Sequence, residues 1–109
     1  MAIEKKQRNA IPEQDPAVRA HNFDEVAIGF TAELARDEAS RCLGCKNAPC
    51  MKGCPVGVRI PEFLALVKQG DYEKAGEVIK STNSLPSVCG RVCPQEEQCE
   101  KNCVRAKID

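Results

Sequence analysis

Eight cysteines are the residues whose type and spacing could do chemistry in this chain of 109 residues. They form two runs, Cys42-x2-Cys45-x4-Cys50-x3-Cys54-Pro55 and Cys89-x3-Cys93-Pro94-x4-Cys99-x3-Cys103. Cysteine sulfur pairs in disulfides, binds structural zinc or ligates the irons of an iron–sulfur cluster. The cellular compartment of the protein and the spacing of the cysteines within each run help to distinguish disulfides, zinc and iron–sulfur clusters.

The N-terminal sequence argues against disulfides. Residues 1–14 read MAIEKKQRNAIPEQ and contain charges but no apolar segment of a secretory signal. No stretch approaches the roughly 20 apolar residues of a membrane span. We therefore expect a cytoplasmic protein without a membrane span, and in a reducing compartment clustered cysteines bind metal more often than they pair.

The spacing favours an iron–sulfur site over zinc. Two-cluster bacterial ferredoxins use C-x2-C-x2-C-x3-C-P, in which the fourth cysteine ligates the other cluster. The first run follows this plan with two more residues between its second and third cysteines. Zinc sites usually contain separated C-x2-C pairs, and only Cys42 and Cys45 have that spacing. Eight thiolates would serve two [4Fe–4S] clusters, and a zinc-stabilised docking module without a redox role is the alternative.

Composition and charge narrow the function further. Sixteen basic and sixteen acidic side chains leave no net charge, which argues against a nucleic-acid partner. Hydrophobic residues make up 42% of the chain, but this figure includes the cysteines, and there are three Phe, one Tyr and no Trp. So little core material implies that the cysteines hold the fold together. Five cations near cysteines could tune a cluster or meet a partner: Lys46, Lys52, Arg59, Arg91 and Arg105.

The elements that must position the cysteines are predicted to be helices. Thr31 is a good N-cap for a helix over residues 32–41. Pro61 opens the next helix and Gly70 ends it, and Asp71 then caps a third helix. The last two form an αα-hairpin. No segment alternates as a strand does, so the sequence predicts an all-α fold with cysteine-bearing loops.

The N-terminal part is predicted to be an arm. Residues 1–30 show no sustained periodicity, and Pro12 and Pro16 interrupt any helix there. We expect an extended N-terminal arm over 1–30, followed by the helical domain over 31–109. Four side chains of the arm are expected to form an apolar clasp: Phe23, Val26, Ile28 and Phe30.

The second cysteine run is predicted to lie between a turn and a helix. Residues 84–87 read as a turn. A last helix is predicted over residues 94–103, which would place Cys99 and Cys103 on one face because they are four positions apart.

Residues 41–106 resemble a known family of iron–sulfur domains. The motifs that agree in order and spacing are CPVG-x2-IP-x-F, NSLP and CGRVCPQEEQCE-x2-C, and the arm sequence PEQDPAVRAHNFDEVAIGFT is similar as well. The family is the N-terminal iron–sulfur domain of the NADPH-dependent glutamate synthase small subunit. Dihydropyrimidine dehydrogenase and the large subunit of bifurcating NADH-dependent ferredoxin:NADP oxidoreductase share this domain.

The resemblance implies a small α-helical ferredoxin-like domain with two [4Fe–4S] clusters. Three cysteines of the first run and the last of the second would bind one cluster: Cys42, Cys45, Cys50 and Cys103. Three more would bind the other: Cys54, Cys93 and Cys99. The fourth ligand of this second cluster would be either Cys89 or, as in some relatives, a glutamine or glutamate further along the chain.

The resemblance also implies a role in electron transfer. The clusters would pass electrons between FAD and a partner redox centre, the catalytic large subunit in glutamate synthase. No G-x-G-x-x-G motif is present, so FAD and NADPH would bind to domains absent from this chain. We therefore expect a non-catalytic fragment of a longer NADPH-dependent flavoprotein, and a naturally separate electron carrier is the alternative. A pyrimidine-reducing or bifurcating oxidoreductase is the alternative parent.

Overall fold

Helices provide the regular structure of the chain. The computed structural model describes residues 6–108, so residues 1–5 of the predicted arm and residue 109 of the predicted domain lie outside it. Its α-helices are α1 Pro16–Arg19, α2 Ala32–Ala39, α3 Pro49–Lys52, α4 Ile60–Gln69, α5 Tyr72–Lys80 and α6 Pro86–Val92, followed by 3₁₀ turns at Gln95–Glu97, Glu100–Asn102 and Val104–Lys107. Residues 6–108 contain one isolated antiparallel bridge, Glu13 to Ala27, and no strand, which confirms the all-α prediction. No helix in this range is both long and apolar enough to cross a membrane.

Local signals define the three longest helices. Thr31 Oγ1 accepts the Leu34 N–H at 3.2 Å and caps α2. Gly70 ends α4 with φ +85°, a conformation that glycine adopts without steric cost. Asp71 then caps α5, because its carboxylate accepts the Lys74 N–H at 3.2 Å. The predicted boundaries at Thr31, Gly70 and Asp71 are confirmed.

Helices α2, α4 and α5 pack together around a small core. α4 lies against both α5 and α2, and the Tyr72 hydroxyl of α5 donates to the Ala32 carbonyl of α2 at 3.1 Å. The buried apolar residues of the described chain are Ala39, Ala48, Val58 and Ala75. No large side chain in residues 6–108 is completely buried. The described residues therefore bury little apolar surface against one another.

The predicted helix over residues 94–103 does not form. Two 3₁₀ turns replace it: Gln95–Glu97 and Glu100–Asn102. Gln98, between them, has φ −113° and ψ −107°, which no α-helix can accommodate. Cys103 is extended, with ψ +135°. The prediction that Cys99 and Cys103 share a helical face is wrong, because the backbone leaves helical geometry on both sides of the second turn.

Besides α1, two short helices are not apparent from the sequence, and each begins with a proline. α3 contains Cys50 and α6 contains Cys89. The turn predicted over residues 84–87 is wrong in its second half, because Pro86 is the first residue of α6. Proline suits that position, since its fixed φ is already helical and a first-turn residue needs no N–H.

The N-terminal arm contains one turn of helix and no apolar clasp. Pro16 begins α1 instead of preventing a helix. Phe23 is fully exposed and Ile28 is 67% exposed, while the other two predicted members are each 38% exposed, so the predicted clasp is wrong. Polar contacts hold this part of the arm instead, and the Arg91 guanidinium of α6 donates to the Glu25 carboxylate at 2.5 Å.

Candidate metal centre

Five of the eight cysteines border one cavity of about 300 Å³. Cys42 and Cys45 lie in the loop after α2, Cys50 lies in α3, and Cys99 and Cys103 flank a 3₁₀ turn near the other end of the chain. Apolar side chains of α4 also line this cavity: Ile60, Pro61 and Leu64. The fold therefore brings three thiols of the first run beside two of the second. We call this space the first thiol cavity.

Two residues with positive φ shape the loop that carries the first thiols. Gly44 has φ +63°, and its N–H donates to Cys42 Sγ at 3.4 Å. A hydrogen bond to the sulfur of a cluster ligand influences the reduction potential of the cluster. Ala48 has φ +34°, which is rare for a residue with a Cβ. These two positions turn the backbone between the cysteines of the first run.

The remaining thiols form a second group around Cys93. Burial raises the pKa of the Cys93 thiol above its ordinary value, and the neighbouring Cys89, Cys54 and Cys99 raise this pKa further. Cys89 lies one helical turn before Cys93, and its thiol donates to Asn83 Oδ1 at 3.8 Å. Cys99 lies between the two groups, because it also borders the first thiol cavity.

The two cysteine runs meet closely at Gly53, the residue before Cys54. A Cβ atom at position 53 would lie 2.8 Å from the Gln98 carbonyl carbon and 2.7 Å from Asn102 Nδ2, distances too short for non-bonded atoms. Since Gln98 precedes Cys99, this backbone contact brings Cys54 and Cys99 alongside each other. Only glycine fits here without movement of the backbone.

Raised pKa values mark thiols in both groups. Burial raises the pKa of Cys50, and the nearby Cys103 and Cys42 add to the shift. Burial is also the main cause of the raised pKa of Cys99, to which the Glu100 and Cys54 charges contribute. Partly buried thiols resist ionisation because burial disfavours the charged thiolate, and repulsion between neighbouring thiolates adds to this cost. A bound metal supplies the positive charge that removes this cost.

The donor set fits an iron–sulfur cluster. Its thiols stand around a cavity, as ligands do when each binds a different iron of a polynuclear cluster. Among the side chains of residues 6–108, no three His, Cys, Asp or Glu lie close enough together to hold a single metal ion. The assignment of individual cysteines to one cluster or the other stays a prediction.

Three arginines also line the first thiol cavity: Arg8, Arg41 and Arg105. Arg105 is one of the five cations that the sequence places near cysteines, whereas sequence reasoning missed the other two. For Arg41 a signal exists, because it directly precedes Cys42. For Arg8 the sequence offers none, since 34 positions separate it from the first cysteine.

A comparison with known protein families identifies the family of this chain. Residues 19–109 match the family described as dihydropyrimidine dehydrogenase domain II, 4Fe-4S cluster. The match includes both cysteine runs and most of the chain. The chain belongs to this family of 4Fe-4S domains. The resemblance seen in the sequence is thereby confirmed, and the chain is an electron-transfer domain of the 4Fe-4S class.

Individual members of the family are much longer than this chain. The glutamate synthase [NADPH] small chain of Azospirillum brasilense is 42% identical over 95 residues, which are 86% of this chain and 20% of that protein. The small chain from Halomonas elongata is 46% identical over 93 residues, 84% of this chain and 20% of its own length. The NAD-dependent dihydropyrimidine dehydrogenase subunit PreT of Escherichia coli is 42% identical over 87 residues, which are 80% of this chain and 21% of that protein. The chain spans about a fifth of each relative.

Loading of the 4Fe-4S domain with iron and sulfide is expected to become more favourable as the pH rises from about 7 to about 9, around the ordinary thiol pKa of about 8.5. The thiols with raised pKa values, Cys50, Cys93 and Cys99, still hold their protons in this range and must release them to bind metal. A higher pH therefore favours the loaded form. Iron bound at limiting iron and fixed sulfide measures the effect, and loading that is independent of pH would contradict it.

Proposed function

We propose that the chain is the electron-transfer domain of an oxidoreductase of the glutamate synthase (NADPH) small-subunit type and that it binds two [4Fe–4S] clusters. A bound cluster supplies one-electron redox chemistry, while the protein supplies ligands, spacing and burial. The observation that carries the proposal is the arrangement of the thiols in two neighbouring groups, each of which draws on both runs. Eight cysteines equal the ligands that two clusters with four thiolates each require.

For one cluster we propose four of the five cysteines that border the first thiol cavity: Cys42, Cys45, Cys50 and Cys103. For the other cluster we propose the group around Cys93: Cys54, Cys89, Cys93 and Cys99. Cys99 borders the cavity as well, but the influence of Cys54 on its pKa supports its assignment to the second group. The influence of Cys89 on the pKa of Cys93 supports Cys89 as the fourth ligand.

In the parent protein the clusters would connect a flavin with a second redox centre. The relatives named glutamate synthase small chain are about five times as long as the matched segment, which leaves room for FAD- and NADPH-binding domains. Electrons would pass from these domains through the clusters to a catalytic large subunit. The 109 residues would catalyse no reaction by themselves. We propose a cytoplasmic setting, where free thiols stay reduced until metal binds.

A second parent is favoured by one specific observation. The dihydropyrimidine dehydrogenase subunit PreT is as similar to this chain as a glutamate synthase small chain is, at 42% identity for each. The same domain would then serve an NAD-dependent, pyrimidine-reducing enzyme. The complete reading frame around these 109 residues distinguishes the two parents.

The test of the cluster proposal is a metal analysis of the chain loaded anaerobically with iron and sulfide. We expect about eight irons and eight acid-labile sulfides per chain, the content of two [4Fe–4S] clusters. Reduction with dithionite should produce electron paramagnetic resonance signals from two clusters. A colourless chain with two zinc ions would overturn the proposal and establish the zinc-stabilised docking module. A content of four irons per chain would indicate one cluster instead of two.

Single cysteine variants test the ligand sets. Cys45→Ala and Cys89→Ala should each lower the iron content by about half, because each removes a ligand of one cluster. Ser84→Ala, close to Cys89 in the chain, should leave the iron content unchanged. Full iron content in Cys89→Ala would contradict the proposed set and show that Cys89 is not needed as the fourth ligand.

A further inference from the structure

Arg41 places a buried guanidinium at the first thiol cavity. It is only 8% exposed and lines the cavity together with the thiols of its four proposed ligands. Its Nη1 donates to Glu38 Oε1 at 2.7 Å, and its Nε donates to the Lys6 carbonyl at 2.9 Å. The Arg41 carbonyl in turn accepts from Arg105 Nε at 2.8 Å. These contacts restrict the position of the side chain.

Residues 6–9 of the N-terminal arm hold the Arg41 and Glu38 side chains in place. These residues lie outside the region that matches the family, because that region begins at residue 19. Besides the Lys6 carbonyl, the segment contributes Asn9, whose N–H donates to Glu38 Oε2 at 2.7 Å. Glu38 is thereby held between the arm and Arg41. Arg8 forms an ion pair with Glu100 at 3.0 Å, which ties the same segment to the second cysteine run.

The Arg41 side chain is largely removed from water. The Arg41 and Glu38 side chains are 10% and 25% exposed, whereas Arg8 is 64% exposed. Charges that are removed from water interact more strongly than exposed ones. Burial alone would raise the pKa of Glu38, but hydrogen bonds from Asn9 and Arg41 outweigh it and lower that pKa. Glu38 is therefore ionised at neutral pH, and its charge opposes the effect of Arg41 at the cavity.

We propose that the Arg41 guanidinium, oriented by Glu38 and by the Lys6 carbonyl, contributes a positive charge beside the first thiol cavity. This charge helps to set the reduction potential of the cluster bound there. The inference rests on the proposed function. A one-electron reduction by dithionite adds one negative charge to the cavity, and the Arg41 guanidinium stabilises that charge. Glu38 moderates the effect because its carboxylate has the opposite sign. A partly buried ion pair, held by the arm, would thus act on the cluster beside its four ligands.

The test is a potentiometric titration with dithionite, followed by electron paramagnetic resonance, on the loaded 109-residue chain. Arg41→Met should lower the potential of the first cluster, because it removes the positive charge. Glu38→Gln should raise it, because the amide has no charge, and its single oxygen can still accept one of the hydrogen bonds that the carboxylate accepts. Arg41→Lys keeps a positive charge at this position, so the potential of its first cluster should stay close to the wild-type value. The second cluster is the internal reference and should shift less in every variant.

Arg8→Met is the matched control, since it removes an arginine from the same cavity but from an exposed position. Its shift should be smaller than that of Arg41→Met. Shifts of the same sign in Arg41→Met and Glu38→Gln, or equal shifts of both clusters, would overturn the inference in favour of a purely structural role. If the Arg41→Met variant does not bind iron, the Glu38→Gln variant decides: a raised potential of the first cluster supports the inference, and a lowered one overturns it. A wild-type chain without iron would refute the proposed function, whereas loaded variants with unchanged potentials would refute this inference alone.

Discussion

Removal of iron from the loaded chain is expected to abolish most of its helical structure. The described residues bury four apolar side chains, three of them alanines, and their longest helix, α4, has ten residues. Isolated helices shorter than about 12–15 residues are marginally stable in water. A domain with so little core depends on disulfides or metal. Anaerobic treatment with an iron chelator should therefore lower the far-ultraviolet circular dichroism and remove the cooperative thermal transition.

Return of iron and sulfide provides the control for this experiment. The helical signal should recover with the iron content, because the binding free energy of the clusters contributes to the folding free energy. An iron-free chain that stays fully helical and unfolds cooperatively would contradict the prediction. In that case the contacts among α2, α4 and α5 would be sufficient for folding, and the cysteines would serve electron transfer alone.

Gly53→Ala is expected to separate the two cysteine runs. The added methyl group would collide with backbone atoms of Gln98, which cannot rotate away as a side chain can. Overpacking of this kind costs about 1–3 kcal/mol, and here the strain falls on the contact that aligns Cys54 with Cys99. We expect a lower thermal midpoint of the loaded chain and the loss of about half of its iron, from the second cluster.

Gly76→Ala is the matched control for this substitution. Gly76 lies inside α5, and a Cβ atom there would meet no atom within 4 Å. Alanine in place of a helical glycine stabilises a helix by about 0.5–1 kcal/mol. Gly76→Ala should therefore raise the thermal midpoint and retain all of the iron. Full iron content and an unchanged midpoint in Gly53→Ala would show that the two runs can move apart without loss of the site.

The sequence predicts those helix boundaries that depend on neighbouring residues. Thr31 and Asp71 cap helices through bonds to N–H groups three residues away, and Gly70 ends α4 through its own φ. The two 3₁₀ turns that replace the predicted helix over residues 94–103 could not be predicted in this way. Gln98 leaves helical geometry where it meets Gly53, a contact between residues 45 positions apart that no local propensity reveals. The exposed Phe23 also shows that an apolar residue in an arm does not by itself find a partner.

The cysteine spacing and the motifs around the cysteines are sufficient to recognise a 4Fe-4S domain, because both are local properties of the chain. The grouping of those thiols and the charge beside them arise only in the folded molecule. Arg41 meets the Lys6 carbonyl across 35 positions, and Arg105 meets the Arg41 carbonyl across 64. Contacts over such separations require closure of long loops and depend on the whole packing arrangement. The tertiary structure therefore decided which of the cations near the cysteines line the first thiol cavity, and it alone brings Arg8 there.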